Sequence, residues 1–480
     1  MTKQQDNNCM SKVKQTFLLT CILMFVTLFA MYGSTEHFSN YSTVFKRHVS
    51  KFRRNVSKIF RDSIFKNKLV LDTNKTQEFN SSANGLYDVY NVRNSSNVTK
   101  MAIHTGTEKG LLVSNLNVKQ GTETKEFPGM PDPCAKPRRK TGVEDILCMK
   151  RPEFLPEYKN PCWMDDEGQF RCLPYFHLIG ICKSGTSDFF KRLLLHPDIL
   201  PNRGIFGKEI WYWSWKRFSI KDRGGRLKLG MTLKEFMRQF DSERIRTSVD
   251  SQGRHTKITG HGDPMDIWDR FREEATPQNT PGAEELLWTT PYSVRHINPN
   301  VKLLLMLRDP IERLYSHYFH SGAGSSAQSF HAHVTISIEL WKKCVQQHSV
   351  RHCIYSLKFK STLRAPIYTS FYIVHLKEWL KAFPREQLFI FRNEDYSADI
   401  KGTMRQIFKF LDVPIPSETI LDKMKSLSHF YETKSKKRAG PMLPETKAML
   451  VELYRPYTEE LAAFLKDERF SFKDRSFKSR

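Results

Sequence analysis

Dense apolar runs of strand length alternate with amphipathic stretches through the C-terminal two thirds of the chain. Phe176 to Ile181 is one such run, Leu303 to Leu307 a second and Gln387 to Phe391 a third. Leu303-Leu-Leu-Met-Leu307 has no polar position at all, as expected of a parallel strand buried on both faces. A helical pattern follows each. From Asp188 through F-F-K-R-L-L-L-H the spacing is that of an amphipathic helix, Pro310 suits the first turn of another, and Thr403 to Leu411 reads as a short helix ended before Pro414. Tyr368, Phe371, Tyr372, His375 and Trp379 keep helical spacing and read as a core stripe. Glu445–Tyr454 and Thr458–Lys466 read as two tail helices parted by Pro456. Strand and helix in turn predict an α/β domain with a central parallel sheet flanked by helices.

The N-terminal part has a different texture. Residues 1–15 are polar, and Thr16 to Tyr32 carries no charge, which is near the lower length limit for a membrane-spanning helix. A cleaved signal peptide competes with an uncleaved anchor, but no clean small-x-small cleavage site follows, so the anchor is preferred. Sequons at Asn40, Asn55, Asn74, Asn80, Asn94 and Asn97 all follow that run and suggest a lumenal side. Residues 33–130 are polar without sustained periodicity and read as a glycosylated, flexible stem. The expected organisation is a cytosolic tail at 1–15, a transmembrane anchor at 16–32, the stem at 33–130 and a lumenal domain at 131–480.

Charge narrows the partners. Lys and Arg number 76 against 51 Asp and Glu, a formal net charge of +25, which suits a polyanion: nucleic acid, an acidic membrane or an acidic polysaccharide. The anchor and sequons disfavour nucleic acid. Of nine cysteines, Cys9 and Cys21 lie in the tail and anchor. Cys134, Cys148, Cys162, Cys172, Cys182, Cys344 and Cys353 remain, an odd number that leaves one unpaired. Cys182 is the candidate. Close spacing favours Cys162–Cys172 and Cys344–Cys353 bridges in a lumenal domain, although spacing does not dictate connectivity. No tight C-x-x-C pair points to zinc.

The chemistry concentrates at two strand ends. After the first run comes Gly180-Ile-Cys-Lys183-Ser184-Gly185-Thr186-Ser187. Strand, glycine-bearing loop and helix in that order make an anion cradle from loop and helix N–H groups. Lys183 brings a cation, Gly185 permits a tight backbone, and Thr186 and Ser187 offer hydroxyls. Lysine precedes the second glycine, so the Walker pattern of ATPases is not matched. After the leucine run comes Arg308-Asp-Pro-Ile-Glu-Arg-Leu-Tyr-Ser316. Ligands gather at strand carboxyl ends in open α/β sheets, so Arg308 is a second anion contact, with an ion pair to Asp309 or Glu312 as the alternative. By spacing alone Ser316 reads as a helix-surface serine. Lys208-Glu209-Ile-Trp211-Tyr212-Trp213 places an aromatic cluster near the end of an expected second strand, Gly260 to Asp269 reads as an acidic turn, and Lys434 to Leu443 as a basic loop.

The lysine loop followed by L-R-D-P-x-x-R-x-x-S-x-Y resembles the membrane-bound carbohydrate sulfotransferases of the Golgi, over roughly Cys162 to Lys473. The resemblance implies a P-loop-like sulfotransferase fold and a sulfuryl transfer from 3′-phosphoadenosine 5′-phosphosulfate (PAPS), without a metal, to a glycosaminoglycan hydroxyl. The acceptor it implies is the 6-hydroxyl of N-acetylgalactosamine 4-sulfate in chondroitin or dermatan sulfate. It assigns the 5′-phosphosulfate to Lys183, Ser184, Gly185, Thr186 and Ser187, and the 3′-phosphate to Arg308 and Ser316, with Lys437 and Arg438 from the basic run. Glu209 becomes the base and Lys208 an acceptor contact. It also implies a single-pass Golgi membrane protein with a lumenal catalytic domain, and admits a homodimer. Two departures stand out. Gly262-Asp263-Pro264-Met265-Asp266 replaces a serine-rich segment, and Lys437-Arg438-Ala439-Gly440 replaces a Lys-Gly-Arg run. The first leaves the acceptor contacts open. Heparan sulfate or another glycan as acceptor, and an inactive polyanion-binding protein, are the competing readings.

Overall fold

The computed structural model describes residues 126–477 apart from 136–137, 219, 222–226, 229, 269–271 and 431–432. The Thr16–Tyr32 run, the sequons and most of the expected stem lie outside the described residues. Among the described residues no helix is long and apolar enough to cross a membrane.

In chain order the main elements begin with the hairpin β1 (Cys162–Met164) and β2 (Phe170–Cys172), which the Cys162–Cys172 disulfide closes. Then come β3 (Phe176–Gly180), α1 (Thr186–Leu193), β4 (Ile199–Leu200), a small antiparallel pair β5 (Ile220–Lys221) and β6 (Leu227–Lys228), and β7 (Ile258–His261). The second half holds α2 (Thr290–Ile297), β8 (Lys302–Leu307), α3 (Pro310–His320), α4 (Ala327–Val345), α5 (Tyr372–Leu380), β9 (Leu388–Arg392), α6 (Ile400–Phe410), α7 (Lys434–Ala439) and α8 (Pro444–Leu465). The central sheet has five strands in the order β4-β7-β3-β8-β9, every pairing parallel.

The leucine run behaves as its composition demands. Leu303, Leu305 and Leu307 join the core on one face of the sheet with Ile179 and α3, while Leu304 and Met306 join the other with Leu178 and α1. Successive side chains point to opposite faces, so a strand covered on both sides has no polar position to offer. This alternation also decides where the site lies. Phe189, Phe190 and Leu193 of α1 pack on one face, whereas Ile311, Leu314, Tyr315, Tyr318 and Phe319 of α3 pack on the other. The chain thus leaves neighbouring strands β3 and β8 in opposite directions. The crevice between their carboxyl ends is the topological switch point at which such sheets bind ligands.

Several local expectations change. The basic run is a short helix, α7, rather than a loop. The tail is one helix with Pro456 inside it, since the turns on either side are held by packing of Leu450, Tyr454 and Leu461. The aromatic cluster is not at a strand end: β4 stops at Leu200, and Tyr212–Lys216 forms a π-helical turn. Gly260 and His261 belong to β7 rather than to a turn. The stripe through Phe371, Tyr372, His375 and Trp379 is buried core, as its spacing predicts. Core packing also reaches Phe127, which stands edge-on to Trp288 and Tyr292. Cys344–Cys353 is bridged, Cys134–Cys148 forms a third disulfide, and Cys182 is free.

Candidate active site

The loop between β3 and α1 turns on two residues with left-handed backbone, Lys183 (φ +69°) and Gly185 (φ +91°). Gly185 is the N-cap of α1 and brings no side-chain acceptor, so the first-turn N–H groups face the loop mouth uncapped. A Cβ at 185 would lie 2.5 Å from Asn393 Nδ2, a side-chain end that would have to shift, while φ +91° is what calls for glycine. Ser184 is fully buried and its Oγ has no partner among the described residues. An orphaned hydroxyl beside a cradle that any side chain would fill fits an anion of the phosphate class.

The loop is clamped from behind through its backbone. Cys182 N–H donates to Pro264 O at 3.0 Å, and Arg313 Nη1 donates to Cys182 O at 3.2 Å. Arg308 Nη1 donates to Lys183 O at 3.2 Å. Leu307 pairs with Arg392 in the β8–β9 register, so Arg308 and Asn393 are the next residues beyond two adjacent strand ends. The ion-pair alternative for Arg308 is not realised. Asp309 caps α3 by accepting from Ile311 N and Glu312 N, and Glu312 takes Lys436 Nζ at 2.8 Å. Arg308 instead opens on a cavity of about 380 Å³ that Asn393, Lys447 and Arg475 also line, together with Asp309, Glu312 and Glu394. Ser316 is not a surface serine: it is buried, with Oγ 3.4 Å from Thr433 Oγ1 just ahead of α7. Lys437 and Arg438 are exposed on α7, and Lys436 is the member of that run that turns inward.

Glu209 lies on the other side of the loop. Lys208 is fully buried and donates to Glu209 Oε1 at 2.5 Å and to Gly262 O at 3.3 Å. Trp211 Nε1 donates to Glu209 Oε2 at 3.2 Å. One donor on each oxygen fixes the plane of the carboxylate. Beneath Lys208 sits a buried polar floor, with His261 Nε2 3.2 Å from Asp266 Oδ2. Burial, with Lys208 adding to it, pushes His261 down to about 3, so the ring is neutral. Burial and the neighbouring Asp266 hold the Asp263 carboxyl well above the usual range. Burial lowers the Lys183 ammonium below its ordinary value; Arg308 and Lys436 add to the effect, while Cys182 and Glu209 oppose it. Burial pushes the Cys182 thiol up, which keeps it an inert thiol inside the loop.

Residues 285–453 match the sulfotransferase domain family. Human carbohydrate sulfotransferase 15 is 31% identical over 416 residues, which span 76% of this chain and 72% of that protein. The chain belongs to the carbohydrate sulfotransferase family. Rat carbohydrate sulfotransferase 15 aligns with the same identity and coverage. Mouse bifunctional heparan sulfate N-deacetylase/N-sulfotransferase 4 is 25% identical over 284 residues, 56% of this chain and 27% of that one. Among solved structures, a sulfotransferase from Alicyclobacillus acidocaldarius aligns with a TM-score of 0.39 at 22% identity, over 62% of this chain and 97% of that one. As a carbohydrate sulfotransferase the protein is a transferase that sulfates a carbohydrate hydroxyl. The matched domain stretch of this carbohydrate sulfotransferase contains Arg308 and Ser316 but begins well after the Lys183 loop.

Sequence reasoning missed three contributors to the site of this carbohydrate sulfotransferase. Asn393 touches the loop because β9 adjoins β8, a neighbour relation that no local motif announces; its one signal is its place directly after the L-F-I-F-R run. Lys436 is one residue upstream of the two cations singled out, and helical phase decides which of the three turns inward. Arg475 comes to the Arg308 cavity from the far C-terminus.

Proposed function

We propose that the chain transfers the sulfuryl group of PAPS to a hydroxyl of a sulfated glycosaminoglycan, the 6-hydroxyl of N-acetylgalactosamine 4-sulfate in chondroitin or dermatan sulfate. The observation that carries the donor reading is the 3.2 Å bond from Arg308 Nη1 to Lys183 O. It ties the lysine loop to the arginine strand end, so the two cation-bearing segments adjoin at neighbouring strand ends. The loop N–H groups, Lys183, Ser184, Gly185, Thr186 and Ser187 hold the 5′-phosphosulfate. Arg308 and Ser316 hold the 3′-phosphate, with Lys437 and Arg438 at its outer side.

The acceptor oxygen attacks sulfur as the bond from sulfur to the bridging oxygen breaks. Glu209 takes the hydroxyl proton, and Lys183 neutralises the charge that grows on the leaving phosphate oxygen. Lys208, buried with its ammonium committed to Glu209 and Gly262 O, keeps that carboxylate aimed rather than meeting the acceptor. The net charge of +25 supports a polyanionic acceptor, whose binding weakens as salt rises. The charge-free Thr16–Tyr32 run and the sequons after it support anchoring in the Golgi membrane with the catalytic domain in the lumen.

The test supplies sulfur-labelled PAPS and a panel of chondroitin, dermatan and heparan chains to the purified full-length chain, then locates the label by disaccharide analysis. Label at the 6-position of N-acetylgalactosamine 4-sulfate is expected. Label confined to heparan refutes the acceptor assignment, and PAP binding without transfer to any glycan refutes the enzymatic one. Glu209→Gln should abolish transfer and keep PAP binding; full activity in that variant removes it as the base.

A further inference from the structure

Two half-buried indoles stand beside the proposed base. Tyr212–Lys216 is a π-helical turn, closed by Lys216 N–H to Trp211 O at 2.6 Å and Arg217 N–H to Tyr212 O at 3.1 Å. Such turns are rare and gather at functional sites. Trp211 ahead of it holds a left-handed backbone, φ +60°, which is costly for a bulky residue. The turn divides its side chains. Tyr212 and Trp213 are buried against Phe236. Ser214 Oγ donates to Asp263 Oδ2 at 3.1 Å, and Asp263 Oδ1 accepts from Met265 N at 3.0 Å. The segment that lacks the expected serines therefore braces this turn.

On the outer side Trp211 and Trp215 lie nearly parallel, 20° apart with ring centroids 5.8 Å apart. Lys216 Nζ is 5.8 Å from the Trp211 ring, and the Arg272 guanidinium is 5.3 Å from the Trp215 ring. Trp215 Nε1 is a buried donor without a partner among the described residues. Trp211 Nε1 is bonded to Glu209. An aromatic pair with cations over its rings matches a sugar that carries anionic substituents, and the Trp211 N–H reaches the group proposed to deprotonate that sugar's hydroxyl.

We propose that Trp211 and Trp215, with Lys216 and Arg272 over their rings, form the acceptor subsite that binds a sulfated sugar ring next to Glu209. This rests on the carbohydrate sulfotransferase reading and deepens it. Trp215, Lys216 and Arg272 touch the sugar, whereas Trp211 also positions Glu209 through its N–H.

The test is steady-state kinetics of the full-length chain at saturating PAPS, with an N-acetylgalactosamine 4-sulfate oligosaccharide varied, and PAP affinity measured in parallel by calorimetry. Trp215→Leu and Lys216→Ala should each raise acceptor KM, the former by about tenfold or more, as for loss of one aromatic contact. PAP affinity should be unchanged. Trp211→Phe keeps a ring and removes the N–H, so it should lower kcat more than it raises KM. Unaltered acceptor KM in both Trp215→Leu and Lys216→Ala overturns the subsite while leaving the functional reading intact. Should Trp215→Leu fail to fold, Lys216→Ala and the tryptophan emission of the wild-type protein decide. Emission should change when acceptor is added to the PAP-bound protein, and no change overturns the subsite. A wild-type protein that sulfates no glycan defeats the functional reading itself.

Discussion

Asp188→Ala should destabilise the protein by about 3–5 kcal/mol, the usual cost of stranding a buried charge. Asp188 stands in the first turn of α1, directly after the lysine loop, and is buried. Its Oδ2 takes Arg192 Nε at 2.9 Å and the Tyr396 hydroxyl at 3.2 Å; its Oδ1 takes Arg192 Nη2 at 3.2 Å and Phe430 N–H at 2.9 Å. Arg192 is itself 1% exposed, and its remaining donors go to the Met424 and Leu427 carbonyls. Removing the carboxylate leaves a guanidinium in the core with two neutral carbonyls and no counter-charge. The loss is a large share of an ordinary stability of about 5–15 kcal/mol. Urea unfolding with the disulfides intact, followed by fluorescence and circular dichroism, reads it as a midpoint lowered by roughly 1–2 M at unchanged slope.

The double variant Asp188→Leu/Arg192→Met should recover most of the loss, because an apolar pair of similar volume replaces a buried ion pair at little net cost. The pH dependence has a fixed sign. Burial alone would raise the Asp188 pKa, but the bonds from Arg192 and Phe430 outweigh it and leave it below the ordinary 3.8. The stability Asp188 contributes is therefore present above 3.8 and lost as pH falls through the lowered value. A loss under about 1 kcal/mol in Asp188→Ala would refute the reasoning. It would mean that Arg192 reaches water or that the Met424–Phe430 segment is not held by this pair.

The donor loop gives two further expectations and the β1–β2 hairpin a third. Gly185→Ala places a Cβ against Asn393 and forces φ +91° on an alanine, at about 1–2 kcal/mol of backbone strain, so calorimetry should show PAP affinity reduced at least tenfold with the fold retained. Wild-type affinity there would show that the cradle is not the anion site. Lys183 binds as an ammonium, and burial holds its pKa below 10.5, so PAP affinity should fall as pH rises through that lowered value. Lys183→Arg, which stays charged, should abolish that decline, and an identical decline in the variant would place the titrating group elsewhere. Cys162→Ser/Cys172→Ser opens a ten-residue separation and should cost roughly 3 kcal/mol in urea unfolding with PAP affinity intact; no change in midpoint would show that the β1–β2 hairpin does not depend on its bridge.

The parts of the fold that the sequence displays are those in which one local cause dominates. Leu303–Leu307 reads as a strand buried on both faces, and the Lys183 loop is legible because backbone geometry and charge chemistry demand the same few residues in order. What stayed hidden depends on neighbours. Nothing local shows that β9 lies beside β8, and so nothing local brings Asn393 to Gly185. The Trp211–Lys216 stretch reads as a strand end because its aromatics favour strands; the π-helical turn arises from packing on Phe236 and from the bond between Ser214 and Asp263, both distant in sequence. Pro456 reads as a break, yet burial on both sides of it carries α8 through.

Arginines show the limit most sharply. Arg192, Arg313 and Arg392 are buried around the donor crevice, and all three donate to backbone carbonyls: Met424 and Leu427, Cys182, and Arg469 respectively. Arg313 also reaches the Thr369 and Ser370 hydroxyls, both at 2.6 Å. A planar fork with several fixed donors can hold several chain segments at once, which an ammonium cannot. These residues brace the crevice rather than face it, and in the sequence they look the same as Arg308. What separates Arg308 is its position one residue past the end of β8, with Asp309 committed to the α3 N-terminus and Glu312 committed to Lys436. Its guanidinium is left turned toward the loop carbonyl and the cavity. The charge of this crevice is thus set as much by which carboxylates are spoken for as by how many cations surround it. Freeing Glu312 by Lys436→Met should therefore weaken PAP binding beyond the loss of one positive charge, and a variant with Glu312→Gln added should regain part of it; equal affinity in the single and double variants would dismiss the argument.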